Sequence, residues 1–171
     1  FHALATTIIA FPMVFEQTVR FQMLAAPLAA LALLVFGGLL LAGAWRHGMR
    51  VLGWIAVLAA VGTGTVMLFM THALIPFGAA LLLLAGASLL ASYERGWAGL
   101  RWPGALVLNV VLVVLMALRG ERGYDWIEPW TLIGFQLALT ATYLGILATH
   151  TLGSGRSVRF FGVLQSLIVL A

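Results

Sequence analysis

Five long stretches of this chain contain no Asp, Glu, Lys or Arg: Phe21 to Trp45, Val51 to Met70, Pro76 to Tyr93, Trp102 to Leu118 and Pro129 to Thr149. A helix needs about 20 apolar residues to cross the hydrocarbon core of a bilayer, within roughly 17–25. Each stretch meets that requirement. Two further apolar runs, Phe1 to Phe15 and Phe160 to Ala171, read as truncated helices at the ends. Inside a bilayer the backbone has no water to bond, so each segment must close its own hydrogen bonds as a helix. The expected fold is all-α: a polytopic transmembrane helical bundle of about seven helices, with the first and last incomplete. It is read as a single domain over residues 1–171.

Composition excludes the alternative of a soluble fold. Hydrophobic residues make up 63% and charged residues 8% of the chain, with a mean hydropathy of +1.11. A soluble domain holds about 45–50% apolar and about 25% charged residues. A chain of 171 residues leaves too much of its surface exposed to hide such an excess from water. Lipid must be its main solvent, and the lipid bilayer its first partner.

The basic residues, all nine of them arginine, are spread over short connections. They form no patch of the kind that binds nucleic acid, so no nucleic-acid partner is expected. They serve better as orientation signals. Arg46, Arg50, Arg95, Arg101, Arg156 and Arg159 fall on one face, against Arg20, Arg119 and Arg122 on the other. The positive-inside rule makes the first face cytoplasmic. With no cysteine there is no disulfide, thiolate metal site or cysteine nucleophile. No charged leader with a cleavage site opens the chain. Because it begins at Phe1 and stops at Ala171 within an apolar run, the expectation is a piece of a longer protein.

Local signals support the helix boundaries. Pro76, Pro103 and Pro129 stand at or near helix starts, where the missing N–H costs nothing. Pro27 is expected to bend the second helix slightly, and Pro12 to kink or end the first. Arg46-His47-Gly48 and Gly153-Ser154-Gly155 supply turn chemistry. The six tryptophans, with Tyr93 and Tyr124, lie near predicted helix ends, where rings with a wet tip favour the headgroup level. Small-xxx-small spacings at Ala25/Ala29, Ala26/Ala30, Gly38/Ala42 and Ala56/Ala60 allow close helix packing. An echo between Met70-Thr71-His72-Ala73-Leu74 and Ala148-Thr149-His150-Thr151-Leu152 suggests an inverted repeat of the kind found in transporters.

Few polar residues remain inside the predicted helices. Asn109 sits in the aliphatic run Leu106-Val107-Leu108-Asn109-Val110-Val111-Leu112. Facing protein, it is expected to make an interhelical hydrogen bond, worth about 0.6 kcal/mol on average; a substrate or ion contact is the sharper alternative. Gln136 and Gln165, with Thr63, Thr65, Thr140 and Thr142, are read the same way. Among the four histidines, His2 and His150 fall near helix ends of similar depth and are the candidate cofactor ligands, for a haem or chlorin. An interfacial histidine is more often solvated than ligating, so no cofactor is expected. No metal or catalytic cluster is visible either.

The stretch Thr71-His72-Ala73-Leu74-Ile75-Pro76-Phe77, leading into a leucine-alanine helix and then Gly99-Leu100-Arg101-Trp102-Pro103, resembles large polytopic bacterial membrane proteins of unknown function. Phe11-Pro12-Met13-Val14-Phe15-Glu16 is similar in character. The resemblance implies a longer protein in the bacterial inner membrane and carries over no site residue. The functional expectation is a non-enzymatic membrane scaffold or an accessory subunit that packs against other membrane subunits. A transporter or channel segment and the sensor half of a signalling protein are the alternatives. Alternating loops make one topological prediction: cysteines introduced at Ser154 and Asp125 should react with an impermeant reagent from opposite sides. Reaction of both from one side would overturn the helix count.

Overall fold

The computed structural model describes the backbone of residues 2–97, 99–119 and 126–154. The fold is all-α, with six α-helices among the described residues: α1 (His2–Phe15), α2 (Ala26–His47), α3 (Arg50–Thr71), α4 (Leu74–Arg95), α5 (Arg101–Leu118) and α6 (Pro129–Ser154). The expected seventh helix, residues 160–171, lies outside the described residues. Four helices, α2, α3, α4 and α6, are long and apolar enough to cross a membrane. At 1.5 Å per residue, the 22 residues of α2 reach about 33 Å, against a core of about 30 Å. The 18 residues of α5 reach only about 27 Å, so crossing that core would require it to stand nearly upright or to thin the bilayer locally.

The proline expectations change in detail. Helix α1 passes through Pro12 without ending and continues to Phe15. It then widens into a π turn over Glu16–Arg20, where Phe21 N–H donates to the Glu16 carbonyl at 2.9 Å. Buried Thr18 donates its hydroxyl to the Val14 carbonyl at 2.7 Å, which keeps that acceptor satisfied. The second helix starts at Ala26 and not at Phe21, because Gln22 turns to φ 50° and breaks the run. Pro27 then occupies the first helical turn, where its missing N–H costs the helix no hydrogen bond.

Helix ends follow backbone chemistry. Gly48 and Gly96 close α2 and α4 at φ 69° and 68°, a conformation that costs a glycine little. The α3–α4 break falls on His72 at φ 54°. Were the helix to continue, the ring of Pro76 would strike the carbonyl four residues back, at His72. At this break the two members of the suggested repeat differ. The second member of the pair, with no proline at the matching place, runs unbroken through α6 as far as Ser154. The turn expected at Gly153-Ser154 is accordingly helix as well; Gly155 lies outside the described residues.

Cα packing separates two compact units, Phe1–Gly104 and Ala105–Ala171. In the first, α2, α3 and α4 pack against one another, and α1 lies on α2 and α3. Glycine sets how closely they approach. A Cβ at Gly37 would meet Ala60 Cβ and Leu84 Cδ2, each at 3.1 Å, and one at Gly64 would meet Leu81 Cδ2 at 2.8 Å and Leu33 Cδ2 at 3.1 Å. Ala56 and Ala60 are buried as their spacing suggested. The Gly38/Ala42 pair is not: a Cβ at Gly38 meets nothing within 4 Å, and Ala42 is exposed. The packed glycine is Gly37, one residue and about 100° away around the helix.

The α4–α5 connection is held down from both sides. Trp97 is buried, its ring 3.0 Å from where a Cβ on Gly53 would stand. It stays at the helix-end level expected of it, but its ring packs against α3. Ser92, fully buried, donates its hydroxyl to the Trp97 carbonyl at 2.7 Å. Ser92→Ala should lower stability by about 1 kcal/mol, read as a fall in the thermal midpoint in mild detergent. An unchanged midpoint would show that the bond contributes nothing.

Candidate functional site

Two open clefts mark the surface of the first unit. The larger, about 570 Å³, runs between α1 and α2 and is lined chiefly by apolar residues, among them Ile9, Ala10, Met13, Val14 and Phe36, with Gln17 at its polar end. That end adjoins the π turn, a feature that often accompanies functional positions in helices. Arg20 and Glu16 face one another across one turn at 3.9 Å, both well exposed. So open a pair contributes little to stability.

The smaller cleft, about 230 Å³, lies between α2 and α4 and is lined by Gly38, Leu41, Ala42, Trp45, Leu90, Ala91 and Glu94 among others. It opens beside the shared end of the two helices. There the Arg95 guanidinium stands over the Trp45 ring at 5.3 Å and reaches the Arg46 carbonyl at 3.5 Å. The Arg46–Arg50 connection and the end of α4 therefore lie on one side of the unit, as the alternation of helices predicts.

The interior polar side chains behave alike. Asn109, buried in α5, donates its amide to the Ala105 carbonyl of its own helix at 2.8 Å. Thr65, Thr71, Thr140 and Thr142 each donate to the carbonyl four residues back, at 2.7–2.8 Å. Such back-bonding satisfies a hydroxyl within one helix. Gln136 lies half-buried on α6. Gln165 lies outside the described residues. Neither cleft is lined by Asn109, Gln136 or the threonines Thr63, Thr65, Thr140 and Thr142.

The candidate haem ligands His2 and His150 belong to α1 and α6 by backbone; their side chains lie outside the described residues. His47 is exposed in the last turn of α2, and His72 is exposed at the α3–α4 break. Among the described residues no three metal-ligating side chains gather. Sequence reasoning missed both clefts. Gly38 and Ala42 had been recognised as a small pair, but nothing in their spacing distinguishes a groove floor from a helix contact. Compared with known protein families, curated proteins and solved structures, the chain finds no match.

Proposed function

We propose that this chain is a non-enzymatic scaffold or accessory subunit of a larger assembly in a bacterial inner membrane. The observation that carries the reading is where the polar groups of the helix interiors spend their hydrogen bonds. Asn109, Thr65, Thr140 and Thr142 donate to carbonyls of their own helices, so the three hydroxyl donors and one amide N–H of Asn109 are not offered to a passing solute. The first unit meets at glycines, alanines and leucines, which is chemistry for holding helices together and not for turnover. Its apolar residues Ile8, Ile9 and Met13 are exposed beside the larger cleft, and these give a neighbouring subunit an apolar seat. The transporter reading, which calls for a polar path at mid-depth, gains no observation from either cleft. Purification from native membranes in a mild detergent, followed by mass spectrometry, tests the proposal. A stable stoichiometric partner is expected, and recovery of the chain alone would overturn it.

A further inference from the structure

The groove between α2 and α4 has two features that its role in packing does not explain. Its floor at Gly38 is open, since a Cβ there meets nothing within 4 Å. Its mouth is strongly basic. Arg46 and Arg95 end α2 and α4, and Arg50 begins α3 on the same side. Among the described residues none of these three has a carboxylate within 4 Å; Glu94 is the one acidic side chain lining the groove. Arg46 and Arg95 against Glu94 leave a net positive charge at this end of the groove. Arg95 is also held in place by its stacking on Trp45, a groove-lining ring. Arginines that merely complement a helix end do not need an apolar groove beneath them.

Depth identifies what fits. From Gly38 to Trp45 the groove follows seven residues of α2, about 10 Å along its axis. One leaflet of the hydrocarbon core is about 15 Å deep. The groove thus receives the upper part of one acyl chain while the basic mouth stands at headgroup level. The arginine-rich side is the cytoplasmic one by the positive-inside rule, and that leaflet is where anionic lipids draw basic segments.

We propose that this groove binds an anionic phospholipid, one acyl chain lying over Gly38 and Ala42 and the phosphate held by Arg95 with Arg46. The full chain would be reconstituted in nanodiscs of phosphatidylglycerol or phosphatidylcholine, extracted gently, and its retained lipid counted by native mass spectrometry. Phosphatidylglycerol should be retained in clear excess. Arg46→Gln with Arg95→Gln should lower its retention by about fivefold for each arginine removed, and Arg-to-Lys changes at both should largely preserve it. Gly38→Leu projects into open space, so it should leave the thermal midpoint of the delipidated protein unchanged while reducing retained lipid. Equal retention of the two lipids, or indifference to the glutamine variants, would overturn the proposal. So would a groove found occupied by a copurifying polypeptide in place of lipid.

Discussion

Gly64→Leu should abolish the close packing of α2, α3 and α4, while Gly62→Leu, two residues away on the same helix, should leave it intact. At Gly64 the first added carbon already stands 2.8 Å from Leu81 and 3.1 Å from Leu33, both fully buried. Both leucines are buried, so making room for a further side chain means repacking the interior around them. At Gly62 a Cβ meets nothing within 4 Å. Overpacking a filled interior costs typically about 1–3 kcal/mol and occasionally more; a leucine at so tight a point belongs at the upper end. Unfolding of each variant by sodium dodecyl sulfate titration in mixed micelles, with loss of monodispersity on gel filtration, reads the difference. Equal midpoints for the two variants would mean that the three helices do not meet at this glycine.

The second large effect is expected at Phe77, whose side chain is fully buried near the start of α4. In a water-soluble protein Phe→Ala costs about 3–5 kcal/mol, combining lost transfer energy with the cavity left behind. Here the unfolded reference is a helix already in lipid, and lipid tails are as apolar as the protein interior. The transfer part largely cancels. What remains is lost dispersion contact around an unfilled space, so the expected cost falls to about 2 kcal/mol. Ile75→Ala, on a side chain 65% exposed, should cost close to nothing in the isolated chain. Both are measured in the same titration as the glycine variants. A loss at Ile75 matching that at Phe77 would show that this face, too, is packed.

Membrane residence and the all-α class could be read directly from the sequence, because a bilayer leaves a charge-free apolar run few structures to adopt. Helix boundaries were readable to within two residues at Gly48, Pro76, Gly96, Pro103 and Pro129, but not at Pro27 or Gly153, where the expected and observed ends differ by five residues. Pro76 forces the α3–α4 break from its own residue chemistry. The basic face could likewise be counted from the arginines alone. The π turn at Glu16–Arg20 could not be read this way: nothing in the polar run Glu-Gln-Thr-Val-Arg distinguishes a wider turn from an ordinary α-turn.

Which small residue carries a contact was decided only by tertiary structure. Gly37 and Gly38 are identical in chemistry and adjacent in sequence, yet a Cβ on one would stand 3.1 Å from Ala60 and Leu84 while the other floors an open groove. In so uniformly apolar a helix no polar face records which side looks inward, since lipid and protein interior reward the same residues. Trp97 shows the same limit: an indole suits a headgroup boundary, but Gly53 leaves room for it on α3, and packing took the ring inside. The sequence by itself determined the apolar character of the chain and the helices. The rotation of each helix, and with it both clefts, depended on how side-chain volumes interlock across helices, a property of pairs of surfaces that no single strip of sequence contains.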